Sequence, residues 1–249
     1  MRRNMTLAAM LAAAAAGIPA AESRAIIMEV SSTFSGGLYA DGTNFSHFMN
    51  YYVGYAFPSS PPERRNYFIF DLSHVPGPIL GGKLKLYLPG DSSIFEPSGF
   101  VSSDPTEEYR ISGSAFPWEA FSDAFMGEPH MTPGVIAAMF GTMGSGPAYG
   151  LTVVSGDHSG SDVVIDLSTH AVDAMNAAIG SKFLITGRLT DLHPESPGMP
   201  PAELVFAYTD IPNEFMPMPR LMLHVVPSPG VASAVGIAGV LFTARRRRS

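Results

Sequence analysis

Apolar and polar positions alternate with a period of two along much of this chain. In Lys83-Leu84-Lys85-Leu86-Tyr87-Leu88, the three leucines share one side while Lys83, Lys85 and Tyr87 share the other. Successive side chains of a strand point to opposite faces, so the pattern predicts a half-buried strand. Asn66–Leu72 places Phe68, Phe70 and Leu72 on one face, and Asp162–Leu167 places Val163, Ile165 and Leu167 there. Pro219–Val226 does the same with Leu221, Leu223 and Val225. Further strands are predicted at Ala25–Phe34, Tyr51–Phe57, Glu108–Ser112, Ala148–Ser155, Phe183–Arg188 and Leu204–Tyr208. Proline and glycine separate them: Pro58-Ser59-Ser60-Pro61-Pro62 is a loop that no central strand could hold, and His74-Val75-Pro76-Gly77-Pro78 marks a connection and its bend.

The period changes once. Ala171, Val172, Met175, Ala178 and Ile179 recur at helical spacing, with Ser168 as the N-cap and Gly180 suited to C′. Pro117–Met126 and Pro133–Phe140 read either as short helices or as packed loops. About ten short strands and one short helix predict an all-β fold, an antiparallel β-sandwich of jelly-roll-like kind. One domain, residues 26–226, accounts for the body.

The two ends follow other rules. Arg2 and Arg3 precede the apolar run Met5–Ile18 and the small residues Ala20, Ala21, Ser23 and Ala25. That order predicts a signal peptide over residues 1–25, cut after Ser23 or after Ala25. At the other end, Val226-Pro227-Ser228-Pro229-Gly230 forms a turn. The uncharged run Val231–Ala244 follows, and then Arg245, Arg246, Arg247 and Arg248. The prolines end the preceding strand, and Gly230 supplies freedom to turn. The run suits a helix embedded in a membrane, and the arginines stop transfer on the cytoplasmic side. Its 14 residues span about 21 Å against a hydrocarbon core of about 30 Å, a gap that snorkelling arginines and local thinning reduce.

Charge sharpens the picture. The chain carries −7 overall, but seven of its 15 basic residues lie in the terminal segments. In the body eight Lys and Arg face 21 Asp and Glu, a net charge near −13. That argues against nucleic acid or anionic lipid as partners of the body. The chain contains no cysteine, so an exported form relies on its core or on bound ions.

Catalytic signatures are few. The seven histidines show no metal-binding helical spacing, and there is no GxSxG elbow, phosphate loop or nucleophilic cysteine. Asp71 would need a second carboxylate to act in catalysis. The segment Ser155–Asp162 is a glycine-rich turn whose Asp157 and Asp162 are candidate Ca²⁺ ligands; the alternative is a solvated hairpin loop. Asp104-Pro105-Thr106-Glu107-Glu108 has the same two readings. Trp118, Tyr51, Tyr52 and Tyr55 are candidate stacking platforms for a glycan, with core packing as the alternative.

Val226–Gly230, the apolar run and the arginine cluster together resemble the PEP-CTERM sorting signal of Gram-negative bacteria. The resemblance implies export, brief retention in the inner membrane through residues 227–249, and cleavage near the Pro-Gly turn by an exosortase, after signal peptidase has acted. The body also has a resemblance. It rests on Arg65-x-Tyr67-Phe68-x-Phe70-Asp71-Leu72-Ser73, Gly82-x-Leu84-x-Leu86-Tyr87, Asp104-Pro105-Thr106-Glu107, Gly144-x-Gly146-x-x-Tyr149-Gly150 and the late Pro219-Arg220-Leu221 strand. These resemble exported jelly-roll modules, among them PEP-CTERM proteins and the DNRLRE type related to carbohydrate-binding domains. They imply a surface β-sandwich and carry over no catalytic residue. The leading expectation is therefore a non-enzymatic envelope or extracellular-matrix protein at the cell surface or outside the cell. The alternatives are a carbohydrate-binding module for extracellular polysaccharide or cell-wall glycan, and a hydrolase with a site assembled in space.

Overall fold

The structure, a computed structural model, describes residues 24–44, 50–55, 62–90, 99–192, 203–206 and 217–228. Among these, the strands are β1 (Ile26–Tyr39), β2 (Val53–Tyr55), β3 (Arg64–Asp71), β4 (Ile79–Leu88), β5 (Gly99–Val101), β6 (Thr106–Ser112), β7 (Ala148–Ser155), β8 (Ser161–Asp166), β9 (Lys182–Leu189), β10 (Glu203–Phe206) and β11 (Arg220–Val225). The helices are α1 (Trp118–Met126), α2 (Pro133–Thr142) and α3 (Thr169–Ala177). Every strand pairing is antiparallel.

The long strand β1 belongs to two sheets. Ile26–Ser31 pair with β11, and Ser32–Tyr39 pair with β3. A register shift between Ser32 and Phe34 marks the crossing, where Thr33 Oγ1 donates to Ile69 O at 3.0 Å. An extra residue of this kind bends a strand and lets it leave one sheet for another. The first sheet runs β1-β11-β4-β8 and the second β1-β3-β9-β6-β7, with β2, β10 and β5 extending the second beside β3.

A common core joins the facing sides. Leu84, Leu86, Leu88, Val163, Ile165, Leu221, Leu223 and Val225 come from the first sheet, and Phe68, Phe70, Tyr109, Ile111 and Ile185 from the second. The alternation predicted in β3, β4, β8 and β11 thus faces one interior, giving a mostly antiparallel, sandwich-like all-β fold. Helix α3 closes one end with Ala171 and Met175, and Asn176 brackets Ile79 by accepting from its N–H and donating to its carbonyl, both at 2.8 Å.

The expectation of one short helix is corrected: three α-helices are present among the described residues. Ser168 Oγ caps α3 as predicted, accepting from Ala171 N. Pro117–Met126 and Pro133–Phe140 are helical rather than looped. Gly127 ends α1 at φ 70°, a left-handed conformation that suits glycine. Thr132 caps α2 and Pro133 begins it, where a missing N–H costs nothing. Both helices lie on the second sheet. There Leu38, Tyr67, Ile69 and Leu184 meet Phe121, Ala124, Ile136, Met139, Phe140 and Met143. Arg65 ties α2 down by donating to Phe140 O and Met143 O at the helix C-terminus, where a cation is favoured.

The predicted signal peptide lies outside the described residues except for exposed Arg24 and Ala25. Pro229, Gly230, the apolar run and Arg245–Arg248 also lie outside them. Among the described residues no helix is long and apolar enough to cross a membrane.

Candidate functional site

The first strand and the last meet at one end of the sandwich. Ile26 stands opposite Val225, and Val225 also stands opposite Ile79 of β4. Beyond β11 the chain stays docked, because Val226 N donates to Pro78 O and Ser228 N to Pro76 O, each at 3.0 Å. The docked N–H groups alternate around Pro227, so a proline fits there without forfeiting either bond. The approach is close: a Cβ on Gly77 would lie 2.1 Å from Val226 O. Three residues of the predicted sorting turn, Val226, Pro227 and Ser228, therefore form a fixed base for the tail. Val226 and Pro227 are partly buried, and Ser228 is exposed. Buried apolar residues among those described begin at Val30 and end at Val225.

The aromatic candidates divide. Tyr51 is 3% exposed and Tyr52 1% exposed. Tyr51 packs edge-on against Phe68 and donates to Tyr87 O at 3.0 Å; its hydroxyl is pushed up mainly by burial. Tyr52 shares a short hydrogen bond with Tyr39, and the Arg64 guanidinium lies 4.1 Å from its ring centroid. The expectation that Tyr51 and Tyr52 stack on a glycan is thus corrected: both are core residues with no ring face left open. Tyr55 is partly buried on β2, its hydroxyl raised by burial and by Glu63 and Glu203. Trp118 opens α1, partly buried, with Lys182 Nζ 4.4 Å from its ring centroid. The four do not form one platform.

The calcium candidates also part. Asp157 stands exposed in a 3₁₀ turn, Gly156–His158, where Ser155 N donates to His158 Nδ1 at 3.2 Å. Asp162 instead accepts from Arg220 at 2.6 Å and faces Lys85 at 4.0 Å. It belongs to a row of charges across the outer face of the first sheet, with Glu29 3.9 Å from Arg220 and Lys83 3.0 Å from Asp166. Among the described residues no group of three or more His, Cys, Asp or Glu is placed to hold a metal.

Sequence reasoning missed two buried polar assemblies. Arg64, 2% exposed, donates to Asn50 Oδ1 at 2.9 Å and Asn50 O at 2.8 Å. Close by in the sheet, Tyr109 donates to Asn66 Oδ1 at 2.7 Å and Asn66 donates to Tyr51 O at 2.8 Å. The second assembly gathers carboxyls. Glu107, read as part of a turn, is 1% exposed in β6 and accepts from Ser102 Oγ at 2.5 Å. Asp191, just beyond β9, accepts from Glu108 N, and Glu203 opens β10. Burial pushes the Glu107 carboxyl up to about 7; Ser102 opposes the rise, and Asp191 and Glu203 add to it. A protonated Glu107 can donate to Asp191, which makes the pair a holding device for one proton. Asp104-Pro105 and the buried glutamate stand only two residues apart, so sequence spacing alone gave no sign of the burial.

No family model matches the chain, and no curated protein matches it in sequence.

Proposed function

We propose that this chain is an exported, non-enzymatic sandwich protein of jelly-roll-like kind, acting in the cell envelope or extracellular matrix. Signal peptidase cuts after Ser23 or after Ala25. The apolar run Val231–Ala244 holds the precursor in the inner membrane, with Arg245–Arg248 on the cytoplasmic side, until an exosortase cuts near Pro229-Gly230.

One observation carries the reading. Both processed ends leave the body side by side, at Ile26 and after Val225, and the buried apolar residues lie between them. Neither cut removes a side chain from the described core, so the body stays folded after both. The strongly acidic body, near −13, suits a solvated extracellular role.

The test is a double substitution, Pro229→Ala with Gly230→Ala, in a host that contains the exosortase. The unaltered protein is expected in the medium, and the variant in the inner membrane with its arginines intact. Release of the variant at the normal rate would overturn the proposal.

A further inference from the structure

Eight large apolar side chains stand exposed among the described residues: Ile26, Ile27, Leu80, Met126, Leu151, Val153, Val164 and Met218. Three of them gather where the tail leaves. Ile27, 68% exposed, stands opposite His224 of β11, and His224 stands opposite Gly81. Residues paired across antiparallel strands share a face, so Ile27 and the β4 segment at Gly81 lie on the same outer side. Leu80, 62% exposed, is the extra residue at the register shift between Val225 and His224. Ile26, 44% exposed, and exposed Pro78 complete the rim.

Charge sets this end apart. The three segments that carry the patch, residues 24–28, 76–82 and 223–228, contain no Asp or Glu, although the body is strongly acidic. They do contain His224, and Arg24 where the signal-peptide cut falls after Ser23. Glu29, two residues on and on the same face as Ile27, is held 3.9 Å from Arg220, so the apolar rim meets an anionic lipid surface with little repulsion. The tether is short as well. Three peptide steps separate Ser228 from Val231, the first residue of the apolar run, a reach of at most about 11 Å.

From these three observations we infer that the end of the sandwich carrying Ile26, Ile27 and Leu80 rests on the outer surface of the bilayer that holds the tail. The inference depends on the tail inserting as proposed above. It assigns the body an orientation before cleavage, with the tail-exit end against the headgroups and the opposite end in solvent. Cleavage then frees a patch too small to hold the body on the membrane by itself.

The chain has no cysteine, so single labels are simple to place. Ile27→Cys, Leu80→Cys and, as a control on β7, Leu151→Cys would each carry an environment-sensitive fluorophore in the chain from Arg24 to Ser249, which lacks the signal peptide and keeps the tail. All three positions are exposed, so folding should survive. The proteins would be mixed with phosphatidylethanolamine–phosphatidylglycerol vesicles and floated on a density gradient. The expected result is flotation of all three, with labels at 27 and 80 shifted to the blue and several-fold less quenched by iodide than the label at 151. Flotation with equal quenching at all three positions would overturn the inference and leave the tail reading intact. Failure to float would overturn both. Protection of 27 and 80 without vesicles would also overturn the inference, by showing that the tail or a second copy covers the patch.

Discussion

The outer face of the first sheet is open and charged, whereas the outer face of the second lies under α1 and α2. The burial patterns differ accordingly. Strands β4, β8 and β11 alternate, with Lys83, Lys85, Asp162, Asp166 and Arg220 on the outside. Strands β3 and β9 are buried almost throughout, since Tyr67, Ile69 and Leu184 face the helices while Phe68, Phe70 and Ile185 face the common core. A strand covered on both faces reads as a continuous apolar run and a strand covered on one face as an alternation. Stability resides mainly in the covered sheet. The charge row of the first sheet includes Lys83–Asp166, whose side chains are 48% and 83% exposed, and such pairs contribute about 0–1 kcal/mol. The helical layer excludes water from rings such as Phe121, each of which stabilises by several times that amount.

The largest expected effect tests the helical layer. Phe121→Ala should destabilise the body by about 3–5 kcal/mol, comparable to Leu84→Ala in the common core. Urea unfolding measures both, and a loss below about 1 kcal/mol for Phe121→Ala would show the helices to be accessory.

The acids of the two sheets give the next contrast. Asp166 is solvated, whereas Glu107 is buried and titrates near 7. Its folded-state pKa lies above its unfolded value of 4.5, so the native state binds more protons between those values. The stabilisation is complete below about pH 4.5 and fades as pH rises through about 7, by on the order of 2–3 kcal/mol. Unfolding midpoints at about pH 5 and about pH 9 should therefore differ more for the unaltered protein than for Glu107→Gln. Equal differences would remove Glu107 as the cause.

A smaller effect isolates the tail base. Gly77→Ala would set a Cβ against Val226 O and should cost about 1–3 kcal/mol. Gly81→Ala meets nothing within 4 Å and should change stability by less than about 0.5 kcal/mol. Smallest of all, Asp162→Asn breaks the pair with Arg220 on the open face and should cost less than about 1 kcal/mol by the same unfolding measurement.

Much of the first sheet was legible in the sequence because one open face preserves the period of two. The second sheet was less so. The predicted first strand ended at Phe34, yet β1 continues through Gly36 and Gly37 to Tyr39. Those glycines look like terminators, but they stand in the strand because Tyr67 and Arg64 occupy the space a Cβ would need. Pro117–Met126 and Pro133–Phe140 stayed ambiguous because short apolar stretches declare a helix only against the surface they cover. Tyr51 and Tyr52 looked like a surface cluster; the partners that bury them, among them Arg64, Phe68 and Phe206, are set by the fold. Glu107 was hidden for the same reason, since Asp191 and Glu203 reach it from just beyond β9 and from β10. The tail base was half legible: the prolines predicted where β11 ends, but its docking against Pro76 and Pro78 was not visible.

The most direct test of the proposed role is the intact mass of the protein released into the medium by its native host. The account predicts a chain that begins at Arg24 or Ile26, ends near Gly230 and lacks Arg245–Arg248. A released protein that still carries the apolar run and the four arginines would contradict it.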